Sequence, residues 1–190
     1  MSVPTEFTYK LMPELPAPPD WLLNQIDYNA QPEVNNIGAM GRRVLTDWDG
    51  YAGPATKNIR RAFVDEYDTW IRENITKDFQ NCSLMYCRNY NDAPSTGAHT
   101  DYTRDYILMY NVQTGGPDAE LVFWQEEGKP LIRERGCEIG TKANLKKIDG
   151  IVGPAGVWYL ANGRILHSTE KVIDLRLNFQ ISFDTSTPWT

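Results

Sequence analysis

The stretch Arg176-Leu177-Asn178-Phe179-Gln180-Ile181-Ser182-Phe183 alternates without a break between polar and apolar side chains. Strand geometry sends alternate residues to opposite faces, so the segment reads as β with one polar and one apolar row. In an open sheet the polar row meets water and the apolar row meets the core. In a barrel with a ligand cavity, the polar row can line the cavity instead. Periodicity alone leaves both arrangements open.

The same period of two predicts strands over 83–90, 106–113, 120–125, 145–152 and 156–160, with the last strand over 175–183. Gly115-Gly116, Asp149-Gly150, Gly153-Pro154 and Asn162-Gly163 supply turn signals between them. Upstream the period changes. Ile59, Phe63, Tyr67, Trp70 and Ile71 form one apolar stripe at helical spacing, predicting a helix over 54–73 with Pro54 in its first turn. A short helix is expected near Asp20, after a Pro-rich arm over 1–20, and residues 29–53 read as loop with short ordered pieces. The fold class that follows is mainly β with flanking helices. Its expected form is a jelly-roll core over 81–184, buttressed by an N-terminal arm and helices over 1–80, in one domain spanning 1–190.

Composition narrows function. The 190 residues carry a net charge of −6, which argues against a protein that tracks nucleic-acid phosphates. Cys82, Cys87 and Cys137 are too few and odd in number for a disulfide framework, and read as reduced thiols of a cytoplasmic protein. Cys82 and Cys87, five apart on one predicted strand, face opposite ways and make poor co-ligands. The N-terminus shows no secretory signal, and no apolar run is long enough to span a membrane.

The chemistry is carried by the only two histidines, His99 and His167. His99 stands in Gly97-Ala98-His99-Thr100-Asp101, and His167 follows the turn at Asn162-Gly163. A lone His-x-Asp is common and reads by itself as structural. Two imidazoles and one carboxylate gathered on one face of an octahedron suit iron(II) and leave three positions open.

Taken with Arg176, nine residues beyond His167, this set resembles the iron(II)/2-oxoglutarate-dependent dioxygenases of the prolyl-hydroxylase-like branch. The likeness runs through Gly156-Val157-Trp158-Tyr159-Leu160, His167-Ser168-Thr169-Glu170-Lys171-Val172 and Arg176-Leu177-Asn178-Phe179. It covers about residues 83–184. The resemblance implies a double-stranded β-helix, with His99, Asp101 and His167 holding the iron. Arg176 would anchor 2-oxoglutarate, and oxygen would be consumed in hydroxylating a C–H bond. It further implies that Tyr90 and Tyr110 contact the co-substrate. Asn178 stands where the family often has Ser or Thr. An Asp at position 101, where halogenases of this family have Gly or Ala, implies hydroxylation. Charge agrees: ferrous iron with one carboxylate and Arg176 sums to a dication, which a 2-oxoglutarate dianion neutralises, its distal carboxylate forked onto the guanidinium.

For the primary substrate, a small molecule such as an amino acid or a peptide side chain, the sequence offers Arg104 for a carboxylate and Asp105 for an amine. Trp124 and Trp158 are candidate walls, though such residues are more often core. Two other classes fit the same residues: a cupin-like metal enzyme that does not use 2-oxoglutarate, which leaves Arg176 idle, and a jelly-roll binding module with incidental histidines.

Overall fold

A computed structural model describes residues 7–26, 28, 40–46, 57–89, 98–101, 104–128 and 144–184. These form nine strands and two helices: β1 (Tyr9–Met12), α1 (Asp20–Leu23), β2 (Met40–Thr46), α2 (Lys57–Asn74), β3 (Asn81–Asn89), β4 (Tyr106–Thr114), β5 (Glu120–Glu126), β6 (Leu145–Val152), β7 (Trp158–Asn162), β8 (His167–Glu170) and β9 (Arg176–Phe183). Six strands build a large sheet in the order β1-β7-β4-β9-β3-β2, and three a small one in the order β6-β5-β8. All paired neighbours are antiparallel.

Two cores result from the alternation. On the outer face of the large sheet, Leu84, Leu108, Tyr110, Trp158, Leu177, Phe179, Ile181 and Phe183 pack beneath Tyr67, Trp70 and Ile71 of α2 and Leu22 of α1. The Tyr67 ring lies 4.8 Å from Phe179, and Trp70 stacks at 6.5 Å on Trp158. On the inner face, Ile107, Met109, Tyr159 and Ala161 meet Leu121, Phe123 and Ile151 of the small sheet. The polar row of β9 shares this inner face, and Arg176, Asn178, Gln180 and Ser182 are all buried. This settles what the alternation left open: the polar row points between the sheets and not to water.

Several expectations change. The loop expected over 29–53 contains β2, whose seven residues pair with β3. The arm expected over 1–20, an extended segment laid along the body, does lie so through β1, which pairs with β7. Among the described residues, the arm and helices expected over 1–80 comprise two strands, the 4-residue α1 and the 18-residue α2. Asp149-Gly150 lies inside β6 and is not a turn. The Asp149 carboxylate is taken by Thr8 Oγ1 and by the Gly150 N–H, which removes its turn-making role. β8 was missed, because His-Ser-Thr-Glu is too short and too polar for alternation to show. Pro54 and the side chains of Ile59 and Phe63 lie outside the described residues, as does Cys137. No helix among the described residues is long and apolar enough to cross a membrane.

Candidate metal centre

Backbone pairing brings the two histidines together. The His99 N–H donates to the His167 carbonyl at 3.0 Å and the His167 N–H to the His99 carbonyl at 2.9 Å. This isolated antiparallel bridge sets the rings side by side, with centroids 4.7 Å apart. Two residues on, the Asp101 N–H donates to the Gly163 carbonyl at 2.8 Å. Gly163 must lack a side chain here, because a Cβ would lie 2.5 Å from Asp101 Oδ2. His99, Asp101 and His167 each offer a ligand atom, and these atoms all lie within 4.8 Å of one another. That is a modest side-chain adjustment from the roughly 3 Å between neighbouring ligands with metal bonds of about 2.1 Å.

The protonation states suit a cation. Burial holds the His167 imidazole below its ordinary range, helped by repulsion from His99 and Arg104 and opposed by Asp101. Its Nδ1 lies 2.8 Å from the Ile165 carbonyl. That contact places the proton on Nδ1 and leaves the Nε2 lone pair for a metal. Burial alone would raise the Asp101 carboxyl. Arg104 and His167 outweigh it, and the group is held below its ordinary value. A neutral imidazole and an ionised carboxylate are what a divalent metal needs. Asp101 Oδ2 is buried and accepts no hydrogen bond among the described residues. Arg104 Nε lies 3.1 Å from it, with its N–H off the line to that oxygen. The charge of that oxygen is met by the guanidinium, and its lone pairs stay open to a metal. Donor types, burial and the orphaned oxygen all fit a ferrous ion.

Arg176 lies at the start of the inner row of β9. Its Nη1 donates to Thr169 Oγ1 at 2.6 Å and its Nη2 to the Tyr159 hydroxyl at 3.1 Å. Among the described residues no carboxylate lies within ion-pair reach of it, although the side chain is buried. A buried guanidinium held by neutral hydroxyls can take an anion. The Tyr159 hydroxyl also lies 3.5 Å from Asn111 Oδ1, while Asn111 Nδ2 is buried without a partner. The β4–β5 turn packs against the arginine at Gly115, where φ is 90° and a Cβ would come within 2.8 Å of Arg176 Cβ.

Tyr159, Thr169 and Asn111 were not singled out by the sequence. Thr169 had a signal, since it is two residues from His167 and so shares its face of β8. Tyr159 and Asn111 gave none, as each sits in an apolar strand that reads as core.

The other predicted site residues divide. Asn178 is on the inner row and accepts a hydrogen bond from Gln180 Nε2 at 2.8 Å. Arg104 is beside Asp101. Tyr110 is not on the inner face. It points to the outer face, packing 5.2 Å from Trp158 and paired in register with Phe179, because its parity on β4 is that of Leu108 and not of Met109 or Asn111. Asp105 lies 3.6 Å from Arg164. Trp124 donates to Ser168 Oγ at 2.8 Å, on the face of the small sheet opposite Phe123 and His167. Trp158 is outer core, its indole N–H bound by the Pro16 carbonyl at 2.8 Å. Tyr90 lies outside the described residues.

No protein-family description matches the sequence, and no curated protein does. Among solved structures, the chain is similar to a Pseudomonas putida prolyl-4-hydroxylase at 14% identity and a TM-score of 0.46, covering 93% of this chain and 92% of that one. It is also similar to an oxidoreductase of the 2OG-Fe(II) oxygenase family from Burkholderia pseudomallei at 11% identity and a TM-score of 0.43, covering 92% and 83%.

Proposed function

We propose that this chain is an iron(II)- and 2-oxoglutarate-dependent oxygenase that hydroxylates a C–H bond of a small molecule or peptide. Its two sheets are read as one double-stranded β-helix domain. The observation that carries the reading is the pairing of two buried sites on one inner surface: a His–Asp–His trio ready for a cation, and Arg176 ready for an anion. A metal enzyme without the co-substrate, or a passive binding module, gives Arg176 nothing to hold.

His99, Asp101 and His167 would hold the iron, which when bound supplies the site of oxygen activation at the expense of the 2-oxo acid. Arg176 takes the distal carboxylate of that acid, with Thr169 and Tyr159 keeping its guanidinium in place. Asn178 and Gln180, hydrogen-bonded to each other, continue the polar wall beside it. Ile107, Met109, Tyr159, Leu121 and Phe123 form the apolar packing between the sheets, which excludes water and leaves the few polar groups at full strength. The orientation of His167 is set by Ile165 and that of Asp101 by Gly163, so neither ligand waits on the metal for its direction.

The test is anaerobic addition of iron(II) and then 2-oxoglutarate, followed by oxygen. A visible charge-transfer band that needs both additions, and then succinate release, is expected. Iron binding without that band, and no succinate on aeration, rejects the co-substrate and with it the reading.

A further inference from the structure

The inner row of β4 carries one polar residue among apolar ones. Ile107 and Met109 join the packing between the sheets, and Asn111, next on the same face, is 1% exposed. Its Nδ2 is buried and has no hydrogen-bond partner among the described residues. Leucine or methionine would fill that place without leaving a donor dry, so the amide costs stability where it stands.

The backbone fixes this placement. The Asn111 carbonyl accepts the Gly156 N–H at 3.2 Å, beside a parallel bridge to Ala155. β4 slips its register on β9 between Asn111 and Gln113, and an irregularity of this kind re-aims the side chain next to it. Gly153 faces the amide and must lack a side chain, because a Cβ would lie 2.3 Å from Nδ2.

The acceptor half of the amide shows which half is open. Arg176 Nη2 donates to the Tyr159 hydroxyl oxygen at 3.1 Å, so the hydroxyl has its own hydrogen left to give. Asn111 Oδ1 lies 3.5 Å from that oxygen and Met109 Sδ 3.6 Å. With Oδ1 turned to the hydroxyl, Nδ2 is the open group. Its register partner on β9, Asn178, gives its own Oδ1 to Gln180 and not to Asn111. One hydroxyl oxygen thus separates an open amide donor from a guanidinium that has no acid among the described residues. The two oxygens of one carboxylate can bridge such a pair.

We propose that Asn111 is a second direct donor to the anion on Arg176, so that the distal carboxylate of the co-substrate rests between a guanidinium and a neutral carboxamide. This rests on the oxygenase reading above and adds a residue to it. Both groups only donate toward that end, since Arg176 has no acceptor and the acceptor of Asn111 is turned to Tyr159. A carboxylate, which only accepts, meets both. A carboxamide brings N–H groups that neither can take. The anion end then selects a free acid over its amide by hydrogen bonding as well as by charge.

The probes are 2-oxoglutarate and its 5-carboxamide, titrated without oxygen into protein loaded with iron(II). Calorimetry and the visible band are the readouts, beside urea titrations of the metal-free protein. Asn111→Leu is expected to weaken 2-oxoglutarate about tenfold or more and to leave iron affinity unmoved. The metal-free variant should be as stable as wild type or more so, because the dry donor is gone. Asn111→Asp keeps the size and sets a negative charge beside Arg176. It should weaken 2-oxoglutarate about a hundredfold and leave the 5-carboxamide nearly unchanged. In protein already carrying Tyr159→Phe, Asn111→Leu should still weaken 2-oxoglutarate about threefold or more, a smaller factor because the two residues share one network. No further weakening there means that Asn111 acts only through the hydroxyl, which overturns the proposal. Unchanged 2-oxoglutarate affinity in Asn111→Leu, or weakening matched by lost stability of the metal-free protein, makes Asn111 part of the core and overturns it too. If Asn111→Leu does not fold, Asn111→Asp decides, and equal loss for both probes overturns the proposal. If the wild-type band never forms, the oxygenase reading is what has failed. If the band forms and the variants bind as wild type does, only the role of Asn111 has.

Discussion

Leu177, Phe179, Ile181 and Phe183 are fully buried under α2, and Arg176, Asn178, Gln180 and Ser182, one residue away in each case, are between 1% and 6% exposed. The two rows of one strand are equally dry and opposite in chemistry. The outer row joins a continuous apolar cluster and stabilises the fold by area removed from water. The inner row spends hydrogen-bonding groups on each other and leaves a guanidinium without an acid among the described residues. Burial of that kind costs stability, and a protein keeps it where the groups have a ligand to meet. Fold and candidate chemistry are thus divided between the faces of β9, and the division can be tested by changing one face at a time.

The largest effect is expected on the outer face. Phe179→Ala removes a ring wedged against Tyr67 and should lower the unfolding free energy by about 3–5 kcal/mol in urea titrations. Iron affinity per folded molecule should stay close to wild type. A variant that unfolds no more easily but binds iron poorly would mean the faces are not separable.

The inner face should behave in the reverse way. Arg176→Met is expected to weaken 2-oxoglutarate binding by about 2–5 kcal/mol, read from the band titration. The metal-free protein should be as stable as wild type or more so, since methionine fills the space without a charge to desolvate. Lost stability together with unchanged 2-oxoglutarate affinity would make Arg176 a structural residue.

The same contrast explains what could be read from the chain beforehand. Clean alternation in 176–183, where each face has one chemical character, and the apolar run over 106–110 located β9 and β4 to within a residue or two. β2 and β8 were not visible. Gly41, Arg42 and Arg43 break any apolar row in β2, and β8 is four residues held by pairing with β5. Strands of that sort exist through their partners, and partners are tertiary information. The grouping of His99, Asp101 and His167 was readable because histidine is rare in this chain and its spacing has a chemical meaning. Tyr159 was not, because what places its hydroxyl on Arg176 is the packing of β7 beside β4 and the reach of Arg176 from β9. Tyr110 was misplaced for a related reason: distance along the chain from His99 says nothing about parity, and parity on β4 turns it toward α2.

Tyr159 offers a smaller and sharper test. Tyr159→Phe keeps the ring in the inner core and removes one hydrogen bond to Arg176. A loss of about 1.5 kcal/mol in 2-oxoglutarate binding, near tenfold, is expected, with iron affinity unmoved. Equal weakening of iron binding would show that the hydroxyl serves the whole cavity and not the anion end alone.

The mildest effect is a pH dependence of the metal-free fold. His167 is held below its ordinary 6.5 by burial first, so between its folded value and 6.5 the unfolded chain binds a proton that the native protein does not. Stability from this group is therefore full above that window and falls as the solution is acidified through it, with a slope of at most about 1.4 kcal/mol per pH unit. Asp101, held below its ordinary value, adds to the loss only at lower pH, because its contribution disappears as pH drops through its depressed folded value. Urea titrations of chelated protein between pH 7.5 and 5.5 should show wild type losing stability relative to His167→Gln, whose amide does not titrate. Parallel curves for the two proteins would mean that His167 is solvated in the native state. The dry inner face would then not extend to the metal trio, and the contrast between the two rows of β9 would stop short of the site it is meant to explain.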